Sequence, residues 1–175
     1  MIEASIPIQL VVTDRQCTAE TIATHNNITL KRIERNSYGK DFDRDTYTCE
    51  VRDALIDHEI DLIAMAGFGT ILNKPIYDDF SNRILNTHPS LLPSFPGWHA
   101  VEEALEYGVK VTGCTVHIAT EEVDAGPILA QESIPVLKDD TKETLHERIK
   151  TVERQLYVDP INKIITTNGQ IERDQ

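Results

Sequence analysis

Asn86-Thr87-His88-Pro89-Ser90-Leu91-Leu92-Pro93-Ser94-Phe95-Pro96-Gly97 is the stretch that decides how this chain is read. The residues before it, Arg83-Ile84-Leu85, read as the apolar end of a buried strand. The segment from Pro89 to Gly97 cannot be helix, because three prolines fix φ and remove backbone donors. Gly97 then permits a sharp exit. Side chains alternate along an extended chain, so Asn86 and His88 point to the same side. An asparagine amide donates to an oxygen that is gaining negative charge. An imidazole moves protons near neutrality, with an unperturbed pKa of about 6.5. In open α/β sheets ligands bind beyond the carboxyl ends of the strands, which is where this pair stands.

Outward from that loop the pattern alternates between strand and helix. Upstream, Ile6 to Thr13 and Ile28 to Ile33 read as strands around a short helix, Thr18 to His25, with Thr18 as its cap. Asn36 to Lys40 reads as loop. Asp43 to His58 reads as a helix whose Tyr47, Val51, Ala54, Leu55 and His58 share one face. Asp61 to Ala66 is so apolar that it reads as a parallel strand covered on both faces. Asn73 and Pro75 start a short helix through Phe80. Downstream, Trp98 to Tyr107 reads as a helix closed by Gly108. Thr112 to Ala119 and Ile128 to Ile134 read as strands. Asp140-Thr141-Lys142-Glu143 has the form of a capping box for a last long helix, with Leu145, Ile149, Val152 and Leu156 as its buried stripe. Pro160 interrupts that helix, and Asn168-Gly169-Gln170 reads as a turn. The expected fold class is α/β, a doubly wound, mostly parallel sheet with helices on both faces in a single domain.

The central loop, together with Val123-Asp124-Ala125-Gly126-Pro127-Ile128, resembles the signature of the folate-dependent formyltransferases, and within them the members that act on phosphoribosylglycinamide in purine synthesis. The resemblance runs from about Ile8 to about Ile165. It implies an enzyme that moves a formyl group from 10-formyltetrahydrofolate to the amine of phosphoribosylglycinamide, without a metal. It implies Asn86 as donor to the developing oxyanion and His88 as proton donor. Asp124 would hold the imidazole and favour its charged form. Folate binding would fall to Arg44, Gly69, Thr70, Ile71, Leu72 and Asn86. Ribonucleotide binding would fall to Gly97 and Glu153, and His117 would stand behind the site. Gly69 and Thr70 depart from the Met and Arg commoner in the family. A cis peptide at Leu92-Pro93 is also expected.

The resemblance also implies a strand, a glycine-rich phosphate loop and a helix ahead of Ile6, a unit this sequence does not show. A start assigned too late, a decayed gene, or a strand supplied by a partner chain would each account for that. A sheet without this central strand would expose two unpaired edges.

Composition narrows the class. The 175 residues suggest one domain with a sizeable core. Their formal net charge of −12 disfavours nucleic acid as a partner. No apolar run has the ~18 residues of a membrane span, and the first residues lack the form of a signal peptide. Cys17, Cys49 and Cys114 have no short spacing and read as reduced thiols, so a cytoplasmic location is expected. Small molecules are the expected partners, and a homodimer is compatible with the sequence. His146-Glu147-Arg148-Ile149-Lys150 starts like a zinc-protease helix but lacks the second ligand. The other readings are a methionyl-tRNA formyltransferase, a formyltetrahydrofolate deformylase and a non-catalytic folate-binding module. The negative charge and Ser94-Phe95-Pro96-Gly97-Trp98-His99 speak against the first.

Overall fold

A computed structural model describes residues 1–37 and 39–167. The expected turn at Asn168-Gly169-Gln170 lies outside the described residues. The strands are β1 Leu10–Thr13, β2 Thr29–Arg32, β3 Ile63–Ala64, β4 Ile84–His88, β5 Val111–Ile118 and β6 Ile128–Pro135. The helices are α1 Thr18–His25, α2 Arg44–Asp57, α3 Lys74–Asp79, α4 Ala100–Tyr107, α5 Lys142–Leu156 and α6 Val158–Thr166.

Capping chemistry sets several helix ends. Asp43 accepts from the Thr46 amide and starts α2, and Gly108 closes α4 at φ 77°. At α1 the cap is Cys17, without a side-chain bond, and the expected Thr18 is instead the first helical residue. The capping box of α5 pairs Thr141 with Thr144 rather than with Glu143. Thr144 is the third helical residue, the position whose side chain reaches back to the cap amide. α5 stops at Leu156 and α6 begins at Val158, so the break falls just ahead of Pro160, whose ring would strike the preceding turn.

The strands form two sheets. β1 pairs with β2 in parallel, and β3-β4-β5-β6 form the second sheet. β3 and β4 are parallel, whereas β4-β5 and β5-β6 are antiparallel. Leu85, Val116 and Ile118 are fully enclosed under α6, where Ile161 and Ile164 pack with Tyr157. Each fully buried aliphatic side chain of this kind contributes about 1.5–3 kcal/mol. Leu145 and Ile149 of α5 cover the β5-β6 end with Cys114, and Val152 and Leu156 pack at its margin. On the opposite face Tyr47, Val51, Ala54 and Leu55 of α2 pack with Ile76 and Ile84.

Two strands are shorter than their sequences suggest. The run Ile6 to Thr13 pairs only from Leu10, because Pro7 cannot donate and Ile2–Ala4 turn as a 3-10 helix. The run Asp61 to Ala66 pairs only at Ile63–Ala64, and Leu62 to Met65 are half-buried where full burial was expected. The reason is a cleft of about 1540 Å³ between β1 and β3, lined by Ile8, Leu10, Leu62, Ala64, Leu55 and Ile161 among others. Among the described residues, each of these two strands pairs on one side only.

Candidate active site

β4 carries Asn86 and His88 on one face at its carboxyl end, in register with His117 and Thr115 of β5. Period-two alternation therefore stacks Asn86 beside His117 across the ladder. His88 is 4 % exposed and makes two polar contacts. Its Nδ1 lies 3.2 Å from Asp124 Oδ2, and its Nε2 lies 2.8 Å from the Phe95 carbonyl oxygen. A carbonyl only accepts, so Nε2 carries a proton in this bond. The Asp124 carboxylate at Nδ1 is likewise an acceptor.

His117 holds Asn86. Its Nδ1 lies 3.0 Å from the Ile118 carbonyl and so is the protonated nitrogen. Its Nε2 then accepts from Asn86 Nδ2 at 3.3 Å. Burial is the main influence on His117 and pushes its pKa below the ordinary value, against the pull of Asp124, whose Oδ1 is 3.6 Å away. His117 is thus neutral where Asn86 needs an acceptor. The second amide hydrogen of half-buried Asn86 has no hydrogen-bond partner among the described residues.

Asp124 is placed by backbone. Its φ is 57°, a left-handed value that aspartate tolerates, and its Oδ2 accepts from the Gly97 amide at 2.7 Å. Gly126 makes this possible. A Cβ there would lie 1.8 Å from the Ile118 carbonyl oxygen, so the loop can touch β5 only without a side chain. The proline-rich loop is pinned from beneath. Thr115 Oγ1 donates to the Ser90 carbonyl at 2.7 Å and accepts from the Leu92 amide at 3.1 Å. Gln131 Nε2 reaches both the Leu92 carbonyl and Thr115 at 2.9 Å. Leu92-Pro93 is cis. Phe95 adopts φ 52°, costly for an aromatic residue, and its ring packs edge-on to Tyr107 at 6.0 Å. That backbone turn aims its carbonyl at His88.

Of the positions named from sequence, Asn86, His88, Asp124, Gly97 and His117 come together. The Gly69 to Leu72 loop follows β3. Thr70 is buried there and donates to Asp14 Oδ2 at 3.1 Å, tying the ends of β1 and β3. Ile71 is exposed and Leu72 buried. A Cβ on Gly69 would lie 2.9 Å from Trp98, whose ring covers the loop while remaining 78 % exposed. Arg44 opens α2, whose first turn is fastened to the end of that loop through Asn73 Nδ2 and Asp45 Oδ1 at 2.7 Å. Glu153 sits half-buried on α5 near Cys114 and Tyr157, and among the described residues no hydrogen bond or ion pair joins it to His88 or Asp124. Sequence reasoning missed the Phe95 carbonyl, Thr115, Gln131 and Trp98. Of these, only Thr115 left a signal, two residues from His117 on one strand face.

Comparison with known proteins places these features in a family. The formyl transferase family model matches residues 3–161. The phosphoribosylglycinamide formyltransferase of Mycobacterium tuberculosis (strain CDC 1551 / Oshkosh) is 45% identical over 153 residues, covering 87% of this chain and 70% of that protein. The human trifunctional purine biosynthetic protein adenosine-3 is 50% identical over 103 residues, 59% of this chain and 10% of that protein. The crystal structure of glycinamide ribonucleotide transformylase 1 from Symbiobacterium toebii superposes with a TM-score of 0.88 at 35% identity, covering 99% of this chain and 81% of that one.

Proposed function

The chain belongs to the formyl transferase family, and from that premise we propose that it transfers a formyl group from 10-formyltetrahydrofolate to the amine of phosphoribosylglycinamide in purine biosynthesis. The observation that supports this reading is that Asn86 and His88 share one face of β4 with Asp124 held 3.2 Å from the imidazole. The folate supplies the formyl carbon, to which the amine adds its lone pair while the carbonyl oxygen gains charge. Asn86 gives its unpartnered amide hydrogen to that oxygen. Losing one such donor typically costs about 10²–10³ in rate. His88 gives its Nε2 proton, released from the Phe95 carbonyl, to the departing folate nitrogen and takes up the proton set free by the amine, so the ring ends as it began. General acid–base help of this kind contributes roughly 10²–10⁴. Asp124, 3.2 Å from Nδ1, orients the ring for both transfers.

The binding positions fit a flat heteroaromatic donor. The Gly69 to Leu72 loop brings bare backbone at Gly69 against the Trp98 ring. Arg44, Gly69, Thr70, Ile71 and Leu72 are assigned to the folate, with Thr70 acting through the loop's position because its side chain is buried. Gly97 and Glu153 are assigned to the ribonucleotide. A homodimer and a cytoplasmic location belong to the same reading.

The test is His88→Ala. Formyl transfer, measured by the appearance of free tetrahydrofolate, is expected to fall by at least about 10², while folate affinity stays within a few-fold. Turnover close to wild type in that variant would overturn the role given to His88. Folate binding without turnover in the unmodified chain would favour the non-catalytic module instead.

A further inference from the structure

Gly69 is a glycine that its own backbone does not require. It is not among the residues with positive φ, so an alanine there would be unstrained in the main chain. What the position lacks is room for a side chain. A Cβ would lie 2.9 Å from Cη2 and 3.3 Å from Cζ3 of the Trp98 ring, inside ordinary contact distance. The neighbours of Gly69 are committed elsewhere. Phe68 packs on the cluster around Val51 and Leu55, and Thr70 donates to Asp14 Oδ2 at 3.1 Å. Position 69 is therefore a gap in this loop, and the indole fills it with the outer edge of its six-membered ring. Trp98 comes from the other loop of the site. It follows Gly97, whose amide donates to Asp124 Oδ2 at 2.7 Å. Its ring is not core. It is 78 % exposed, and its N–H makes no hydrogen bond among the described residues. A large flat apolar group thus stands at the rim of the site, seated by one edge on bare backbone, with its remaining surface in water.

We propose that Trp98 is a specificity-determining residue for the formyl donor: its indole takes the place of a side chain at position 69 and offers a flat apolar face to the ring system of the folate. This deepens the formyl-transfer reading and rests on it. Aromatic rings attract one another in offset or edge-on arrangements beyond the area they bury, so a donor ring gains more from an indole than from an aliphatic side chain. The origin of the ring matters as much as its chemistry. The segment that carries Trp98 also carries Asn86 and His88, and Thr115 and Gln131 pin it from beneath. A donor seated on the indole is thereby placed relative to His88 by one rigid segment, without relying on the separate loop after β3. Gly69 is what lets a ring borne by the central loop close over that second loop.

The test uses the unmodified chain first, with tetrahydrofolate as a probe that binds without reacting. Trp98 is the only tryptophan of the chain, so its emission reports this ring alone. Calorimetry establishes binding. Bound tetrahydrofolate is then expected to lower the bimolecular acrylamide quenching constant of Trp98 at least about threefold, as the stacked face leaves solvent. The constant is taken from emission lifetimes, so energy transfer to the folate is not counted as shielding. In steady-state kinetics, Trp98→Ala is expected to raise KM for 10-formyltetrahydrofolate about tenfold while KM for phosphoribosylglycinamide and kcat stay within about twofold. Trp98→Phe is expected to recover most of that loss. Gly69→Ala pushes the ring aside, so it should raise donor KM in the presence of Trp98 and add nothing to Trp98→Ala. Calorimetric binding with Trp98 left unshielded would overturn the proposal and leave the formyl-transfer reading standing. So would an unchanged donor KM in Trp98→Ala, or a loss spread equally over kcat and both KM values, which marks damage to the loop. The same rise from Gly69→Ala with and without Trp98 would overturn the pairing of the two residues. Tetrahydrofolate that fails to bind the unmodified chain would overturn the formyl-transfer reading and the role of Trp98 with it.

Discussion

Replacing Gly126 by alanine tests how the site is built more sharply than removing a catalytic group. The new Cβ would sit 1.8 Å from the Ile118 carbonyl oxygen and 3.1 Å from Thr120 Cγ2. Carbon and oxygen do not approach within about 3.0 Å, so the loop must retreat by about 1.2 Å. Two bonds depend on it. The Ile118 amide donates to the Pro127 carbonyl at 2.9 Å, and Asp124 Oδ2 lies 3.2 Å from His88 Nδ1. Losing the first costs about 1–3 kcal/mol, because Ile118 is buried and its amide gains no water. Stretching the second beyond about 4 Å frees the imidazole to turn, and a misplacement of ~1 Å at a reacting group costs about 10² in rate. The assay measures kcat and KM for both substrates, together with the thermal midpoint. It is applied to Gly126→Ala, His88→Ala and the double variant. The expected result is a kcat lower by about 10² in Gly126→Ala with little further loss in the double variant, because both act through one imidazole. Wild-type kcat in Gly126→Ala, or fully multiplicative losses in the double variant, would refute the idea that backbone contact at Gly126 sets the Asp124–His88 distance.

Thr115 and His117, one strand face apart, give two further outcomes. Thr115→Val keeps the shape but leaves the buried Leu92 amide without its acceptor, so stability should fall by about 1–3 kcal/mol. At roughly 2–4 °C per kcal/mol for a chain of this size, calorimetry reads the loss directly. His117 has a folded pKa held below its unfolded value by burial. It therefore contributes stability that is fully present above about pH 6.5 and is lost as pH falls from there through the lower folded value. Denaturant midpoints measured across that window should fall less steeply with acid in His117→Gln than in the wild type.

How much of this could be read from the sequence differs by element. α2 was legible because its start carries local chemistry and its face repeats at helical spacing. Asn86 and His88 were legible because two-residue spacing on a strand fixes a shared face. The Asp124 position came from a motif, and its distance to His88 was invisible, because that depends on Gly126 meeting Ile118 across the fold. The acceptor at His88 Nε2 was hidden for another reason. It is the carbonyl of Phe95, and any residue has a carbonyl, so side-chain identity carries no trace of it. β3 was overestimated because apolar content reports that a strand seeks cover on both sides, not that both neighbours are there.

The bond between His88 and the Phe95 carbonyl also bears on where inhibitors gain affinity. An inhibitor oxygen brought to Nε2 must displace an acceptor already seated at 2.8 Å, so it exchanges one hydrogen bond for another and gains close to nothing. An oxygen brought to the second amide hydrogen of Asn86 displaces only solvent and makes a bond the free protein lacks. Compounds elaborated toward Asn86 should therefore tighten, while those elaborated toward His88 should stay level unless they carry an anionic oxygen, whose stronger bond to the imidazole outweighs the carbonyl it replaces.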